Sequence, residues 1–361
     1  MRNRTRAGWR RPRAGGRPRA GVSVAAVLAT VAALVAAAGC GSSGGGGSTG
    51  ASSVVRVSPA AEPAVAPPLT VTPAGVVRHV GDDPEGIVVD TRDDLVVAAI
   101  RGRRLALLGS GGSGVIRTVA VPGTARHLQL AGPGGPVLVP GEDTDTFAVV
   151  DLPSGRAGET VVLGRQPHDA VALGSDRFAV ADELGGAVSF VAGGLETARV
   201  RGPVQPGGIT AAGGRVAAVD VRGNALFVYD GAGRPLARLP AGAGPTHAVA
   251  LTGDRVAVAD TRGNAIEIFA LSGTPRRLGR LSLAGTPYGL ALAPDGTTLW
   301  VTLTARNQVV PVAIGTDGSA RVAGAARPTV RQPNSVAVNG VSTRLYVTGS
   351  TADGVVEIID I

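Results

Sequence analysis

The sequence predicts an all-β protein, a seven-bladed β-propeller over residues 76–361 with four antiparallel strands in each blade. The first observation is a repeat. A proline-like start followed by an apolar run recurs at seven positions, spaced 39 to 46 residues apart: 84, 125, 167, 206, 246, 287 and 333. The second observation is that the apolar runs are short and bounded by Gly, Asp and Asn, which is typical of strands. Several such strands in each period of this length indicate propeller blades.

Each repeat also keeps a fixed internal spacing. The second apolar run ends at a turn, and the third begins six residues after that end in all seven repeats. A constant offset implies a constant turn, and the segments RGN at 222–224 and 262–264 have turn composition. A fourth run follows in several repeats, as at 115–121 and 278–283. A helical solenoid would need a 3.6-residue periodicity, which is absent.

The last repeat has only three strands, whereas an isolated apolar run at residues 76–80 precedes the first repeat. We expect residues 76–80 to pair with the C-terminal strand and complete the seventh blade. Such pairing would close the ring and remove two unpaired sheet edges.

Two repeats carry a recognisable motif. Residues 287–296 read PYGLALAPDG and are followed by LWVT at 299–302, and LYVTG stands at 345–349. These segments resemble the YVTN-repeat β-propeller family, and the resemblance covers nearly all of the repeat region. It implies the propeller fold but no single activity, because the family includes surface lipoproteins and relatives of lactonases and of electron-transfer propellers.

The N-terminal segment predicts a cell address. Eight Arg precede an uncharged, apolar stretch of 17 residues at 22–38, the pattern of a secretory signal. Ala37-Ala38-Gly39-Cys40 then resembles a bacterial lipobox, and Cys40 is the sole cysteine. We therefore predict a lipoprotein signal peptide at 1–39 and a lipidated Cys40 with a flexible Gly/Ser/Pro tether at 40–75. An uncleaved transmembrane helix at 22–38 is the alternative. The predicted location is the extracytoplasmic face of the cell membrane.

The charge distribution bears on partners. The net charge is +8, but the body after residue 39 holds 27 Arg against 27 acidic residues. This neutral body lacks the basic surface of a nucleic-acid binder, so no nucleic-acid partner is predicted. A single cysteine excludes a disulfide scaffold and a cysteine-ligated zinc site.

The candidate binding residues follow the start of each repeat. By resemblance to propellers, this position opens the innermost strand and lies at one mouth of the central channel. In ring order the residues are Glu85, Arg126, His168, Gly207, His247, Tyr288 and Asn334. In the second repeat His127 could replace Arg126, since the register there is uncertain by one. His79 lies on the outer strand and should be exposed.

We predict a non-catalytic module that binds a small polar ligand or a protein through this mouth. Binding should weaken near pH 6.5, where His loses its charge, and the mouth residues should carry little burial. A lactonase- or lyase-like enzyme using mouth His and Glu residues is one alternative, and a protein-interaction scaffold is another. No cofactor is predicted, with a divalent metal at the mouth as the weaker hypothesis. Asp182, Asp220 and Asp260 recur at one turn and are interpreted as structural.

Overall fold

The computed structural model describes residues 59–361, which form a seven-bladed β-propeller. Cys40, the predicted signal peptide and the first part of the predicted tether lie outside the described residues. Each blade is an antiparallel sheet whose strands run in chain order from the channel outward, except in blade 7, whose outermost strand comes from the N-terminal part of the described residues. Apart from two single-turn 3-10 helices, Glu183–Gly185 and Thr304–Arg306, the regular structure of residues 59–361 is all strand.

Strand β1 (Val76–His79) precedes the first blade. The strands of blades 1 to 3 are β2 (Ile87–Asp90), β3 (Leu95–Ile100), β4 (Arg104–Gly109), β5 (Val115–Ala120); β6 (Gln129–Leu130), β7 (Val137–Gly141), β8 (Thr146–Asp151), β9 (Arg156–Ala157), β10 (Val161–Val162); and β11 (Pro167–Ala172), β12 (Arg177–Asp182), β13 (Ala187–Ala192), β14 (Leu195–Arg201). The strands of blades 4 and 5 are β15 (Pro206–Ala212), β16 (Arg215–Asp220), β17 (Ala225–Asp230), β18 (Pro235–Pro240); and β19 (Pro245–Ala250), β20 (Arg255–Asp260), β21 (Ala265–Ala270), β22 (Arg276–Ser282). The strands of blades 6 and 7 are β23 (Pro287–Leu292), β24 (Thr298–Leu303), β25 (Gln308–Ile314), β26 (Ala320–Val322), β27 (Arg327–Pro328); and β28 (Pro333–Val338), β29 (Arg344–Gly349), β30 (Val355–Asp360).

The outermost strand is interrupted in two blades. In blade 2 both β9 and β10 pair with β8, and in blade 6 both β26 and β27 pair with β25. In each of these blades the two short strands together take the place of the outermost strand, so the blade keeps four strand positions.

The constant offset of six has a structural cause. A residue with left-handed backbone immediately precedes the third strand in all seven blades, with φ between 50° and 61°. These residues are Arg103, Asp145, Gly186, Asn224, Asn264, Asn307 and Gly354. Gly and Asn tolerate this conformation most readily, which explains why the turns read as Gly/Asn-rich in the sequence.

The core lies between the blades. Seven clusters of buried apolar side chains each join one blade to the next around the ring. The cluster between blades 7 and 1 packs Tyr346 and Val356 against Val96 and Leu108. Every blade is therefore held on both faces by its neighbours.

Strand β1 pairs antiparallel with β30, from Val76 opposite Ile358 to His79 opposite Val355. The isolated run at 76–80 thus supplies the outer strand of blade 7, in the place where the sequence analysis put it. The exposed His79 donates a hydrogen bond from Nδ1 to the carbonyl oxygen of Asp353.

Glycine allows the innermost strands to approach each other. A Cβ atom on Gly86 would lie 2.6 Å from the backbone nitrogen of Leu128, and one on Gly289 would lie 2.6 Å from the carbonyl oxygen of Asn334. Both glycines stand two residues after the start of their repeat. The ring is consequently tight at the level of the predicted mouth residues.

Candidate functional site at the channel mouth

The predicted mouth residues lie in a backbone irregularity. In five blades the pairing of the innermost strand with the second strand shifts register directly after the initial proline, at 167, 206, 245, 287 and 333. Such β-bulges redirect the side chain of the bulged residue. Here His168, Tyr288 and Asn334 are bulged residues. Blade 5 departs from the prediction, because its initial proline is Pro245: the bulged residue is Thr246, and His247 stands one position further along, paired with Ala259. The rings of His168, His247 and Tyr288 nevertheless lie in one cluster.

Three histidines and a tyrosine stack edge to face within this cluster. The ring of His127 lies 4.5 Å from those of His168 and His247, and the ring of His247 lies 4.3 Å from that of Tyr288, between centroids. One nitrogen of His247 is 3.3 Å from the ring nitrogens of His127. In blade 2 the sequence left the choice between Arg126 and His127 uncertain. Both residues lie at the mouth, since His127 joins the stack and Arg126 also reaches it.

His168 lies between two carboxylates that were not among the predicted site residues. Its Nδ1 is 2.6 Å from Oε1 of Glu142 and 3.2 Å from Oε2 of Glu183. Burial by itself would lower the pKa of His168, but the hydrogen bonds to Glu142 and Glu183 raise it to about 9. Burial opposes ionisation of Glu183, yet the hydrogen bond to His168 lowers its pKa to about 2. His168 is therefore an imidazolium at neutral pH.

The other two histidines are neutral. Burial and the charge on His168 lower the pKa of His247 to about 3. Burial and the adjacent His247 and His168 likewise hold the pKa of His127 far below its usual value. One fixed positive charge thus sits beside two uncharged rings, and no histidine of the cluster titrates near pH 6.5.

Arg126, Glu85 and Asn334 form the rest of the mouth. The amide nitrogen of Asn334 donates to both carboxylate oxygens of Glu85 at 3.2 Å. Burial raises the pKa of Glu85, although Arg126 opposes this shift. Burial would lower the pKa of Arg126, but Tyr288 and the neighbouring acids raise it, so its guanidinium stays charged.

The mouth is covered by part of the predicted tether. Ala61 and Glu62 lie over Arg126, His168, His247 and Tyr288, and the cavity left among them is about 10 Å³. The carboxylate of Glu62 is 3.6 Å from the guanidinium of Arg126. The expectation that mouth residues carry little burial is wrong: His168 is 6% exposed, and Tyr288 and Asn334 are each 3% exposed. Gly207 is also buried.

A second cavity lies inside the channel. It measures about 310 Å³ and is lined mainly by aliphatic side chains of the innermost strands, with Asp169 and His127 among its polar groups. His247 lines this cavity and also the small one beneath Glu62, so the histidine layer separates the two. Asp169 is already engaged by the amide of Gln129 and by the backbone nitrogen of Ile209, while burial raises its pKa to about 6.

The repeat alignment contained the signal for the missed acids. Glu142 and Glu183 each follow the end of the second strand, at Gly141 and Asp182, so they occupy one repeat position in adjacent blades. Only the tertiary structure brings Glu142 to His168. Sequence position gave no reason to connect Glu62 with the mouth.

Two of the three repeated turn aspartates, Asp220 and Asp260, organise their turns as interpreted, whereas the buried Asp182 accepts a hydrogen bond from the hydroxyl of Ser189 at 2.6 Å. Asp220 accepts a hydrogen bond from the backbone nitrogen of Gly223 at 2.8 Å, and Asp260 accepts the equivalent bond from Gly263 at 3.1 Å. Both carboxylates also accept backbone N–H groups from the connection that enters the blade. They organise the turns and do not reach the mouth cluster.

Among the described residues, Glu142, His168 and Glu183 have donor atoms within 4.8 Å of one another. The weaker hypothesis of a divalent metal at the mouth would therefore rest on one His and two Glu. The distances fit an imidazolium held by two carboxylates. The same residues could hold a divalent cation only after His168 lost its proton.

No protein-family model and no curated protein matches the chain. Solved structures with a similar fold include a chain of hydrazine synthase from Kuenenia stuttgartiensis, at 15% identity and a TM-score of 0.64 over 82% of this chain and 98% of that one. A chain of the mitotic checkpoint complex has 13% identity and a TM-score of 0.68 over 82% and 96%. Virginiamycin B lyase from Staphylococcus aureus has 13% identity and a TM-score of 0.64 over 79% and 99%. At these identities the similarity shows the propeller fold alone.

Proposed function

We propose that the protein is a lipid-anchored, extracytoplasmic binding module whose channel mouth recognises a ligand through an acidic group. The contact between Glu62 and Arg126 carries this proposal. A carboxylate supplied from outside the ring already sits at the cationic edge of the mouth, in the place that a ligand would take. Polar side chains converging on one concave site are the usual setting for binding.

The charges of the mouth support recognition by Arg126. The positive charge of His168 is balanced by the carboxylates of Glu142 and Glu183, both of which contact its Nδ1. Arg126 faces Glu85, whose pKa is raised by burial, and the partly exposed Glu62. Arg126 is therefore the cation that an incoming carboxylate can reach.

Binding should be independent of pH between about 6 and 8, because no histidine of the cluster changes charge in that interval. This corrects the sequence-based expectation of a loss near pH 6.5, since the pKa of His168 is raised to about 9 and that of His247 is lowered to about 3. Affinity should fall only as the pH rises towards 9, when His168 loses its proton.

Arg126→Gln should abolish binding of acidic ligands. The probe is a panel of mono-, di- and tricarboxylates in a thermal-shift assay, where a ligand at 100 times its Kd adds about 2.7 kcal/mol of stability. A carboxylate that raises the Tm of the wild type should leave the variant unchanged. Arg156→Gln is the matched control, because the side chain of Arg156 is 82% exposed and its guanidinium pairs with Asp151, away from the mouth. Equal stabilisation of the wild type and Arg126→Gln would place the site elsewhere.

The anchor rests on the N-terminal sequence pattern, and no helix within residues 59–361 is long and apolar enough to cross a membrane. Acyl chains on Cys40 would hold the protein at the membrane because each buried CH₂ contributes about 0.8 kcal/mol. Cys40→Ala should shift the protein from the membrane fraction to the soluble or unprocessed fraction, as followed by fractionation and mass spectrometry. A Cys40→Ala protein that is still processed and membrane-bound would contradict lipidation.

An enzyme is the second candidate, favoured by the neighbouring imidazoles and carboxylates and by the fold shared with virginiamycin B lyase. General acid–base catalysis is most efficient when the pKa of the group lies near the working pH. Here the pKa of His168 is raised to about 9 and that of His247 is lowered to about 3. These values favour binding over proton transfer at neutral pH. A protein-interaction scaffold is a further candidate, because propellers of similar fold occur in protein complexes such as the mitotic checkpoint complex.

A further inference from the structure

Residues 59–67 lie across the mouth without regular secondary structure. Propeller side chains hold the backbone of this segment at three places. The guanidinium of Arg262 donates to the carbonyl oxygens of Pro59 at 2.8 Å and Ala60 at 3.0 Å. Asn307 donates to the carbonyl oxygen of Pro67 at 2.9 Å.

Gln332 makes the central contact. Its Nε2 donates to the carbonyl oxygen of Ala64 at 2.8 Å, and its Oε1 accepts from the backbone nitrogen of Ala66 at 2.9 Å. Arg331 donates to the carbonyl oxygen of Ala66 at 3.2 Å. One side chain thus hydrogen-bonds both a backbone N–H and a backbone carbonyl of the segment, as in the recognition of an extended peptide.

The side chains of the segment divide into two sets. Ala61 is 7% exposed and Ala66 is 1% exposed, so both face the propeller, whereas Val65 is 88% exposed. Glu62 is the acidic residue of the segment and points to Arg126. The propeller therefore requires small residues at two positions, an acid at a third, and little else beyond an extended backbone.

We propose that the mouth face is a docking groove for an extended, proline- and alanine-rich peptide segment with one acidic residue, and that residues 59–67 occupy this groove in the closed state. The proposal rests on the proposed function, since Arg126 is common to both, and it names the class of ligand. The partner is a second protein that presents such a segment in trans.

The chain's own segment competes with that partner. A covalently linked occupant acts at an effective concentration of about a millimolar, so a free peptide binds weakly until the segment is displaced. Displacement would also expose the mouth cluster beneath Ala61 and Glu62. Proline reduces the conformational freedom that an extended peptide loses on binding, which suits this composition.

The test is made on the full chain with Ala66→Arg, which should expel the segment because the side chain of Ala66 has no room to extend and Arg331 lies beside it. Val65→Arg is the matched control, with the same change of charge at an exposed neighbour. Hydrogen exchange should show slow amides at 59–68 in the wild type and in Val65→Arg, and fast amides in Ala66→Arg. Exchange in the rest of the propeller should be the same in all three proteins.

Binding is then measured by fluorescence anisotropy with a labelled synthetic peptide of residues 58–68, SPAAEPAVAPP. Ala66→Arg should bind it with a Kd at least about tenfold lower than the wild type and Val65→Arg. A peptide with Gln in place of its Glu should bind more weakly. Released amides in Ala66→Arg without tighter peptide binding would overturn the proposal, as would unprotected amides at 59–68 in the wild type.

Arg262→Ala, made in the Ala66→Arg background, separates this proposal from the proposed function. Arg262 contacts the peptide backbone but lies outside the mouth cluster, so its loss should weaken the peptide and leave small carboxylates unaffected. If the Ala66→Arg protein binds small carboxylates but not the peptide, the groove alone is refuted. If it binds neither, the mouth is refuted as a binding site. A concentration-dependent dimer of the wild type that is absent from Ala66→Arg would make the occupant a second copy and overturn the choice of partner.

Discussion

Deletion of residues 354–361 is expected to open the ring and to lower the Tm by about 10 °C or more. These residues include β30, which pairs with both β1 and β29. Val356, Ile358 and Ile359 are 0%, 7% and 1% exposed, and burial of three such side chains contributes at least about 5 kcal/mol. The truncated chain should also aggregate, since β29 and β1 would be left with unpaired edges. Differential scanning calorimetry and size-exclusion chromatography measure both effects.

Two variants make this experiment decisive. Removal of Ile361 alone should lower the Tm far less than the eight-residue deletion, because this residue lies beyond the end of β30 and only adds to the edge of the cluster between blades 6 and 7. Val356→Asp places a charge in the cluster between blades 7 and 1 without shortening the chain, and should destabilise in the same direction. A monomeric truncation with an unaltered Tm would show that β30 does not close the ring.

His168→Ala is expected to lower the free energy of unfolding at pH 7 by about 3 to 5 kcal/mol, because it leaves two carboxylates buried without their cation. The side chains of Glu142 and Glu183 are 14% and 7% exposed. Chemical denaturation at constant pH measures the change. His79→Ala is the control, since His79 is exposed on β1 and its loss should cost less than about 0.5 kcal/mol.

The same variant should change the dependence of stability on pH. The pKa of His168 is raised from 6.5 to about 9 on folding, so its stabilising contribution is complete below pH 6.5 and is lost as the pH rises through 9. The wild type should therefore lose on the order of 3 kcal/mol across this alkaline interval, and His168→Ala should not. An identical alkaline loss in both proteins would mean that His168 is not protonated in the folded state.

The repeat pattern by itself determined the blade. Strand, turn and strand follow one another within about 40 residues, so local apolar patterning and turn chemistry are sufficient to define each unit. The fixed offset before the third strand depends on one left-handed residue, as at Asn224 and Asn264, and Asn is readable as a turn residue in the sequence. The equivalent residues Arg103 and Asp145 show the same conformation without the same composition.

The sequence also predicted that the residues after each repeat start would converge. The rings of His168, His247 and Tyr288 do lie together around His127, whereas Asn334 binds Glu85. The neighbours of these residues, however, depended on the tertiary structure. The contact of Glu142 with His168 joins different blades, and that of Glu62 with Arg126 joins the ring to a segment outside it. Burial and the approach of opposite charges then set the protonation of each group, and neither has a local signature in the chain. Periodicity encodes short-range structure that each repeat forms for itself, whereas the charge state and accessibility of the mouth arise only when distant residues share one desolvated space.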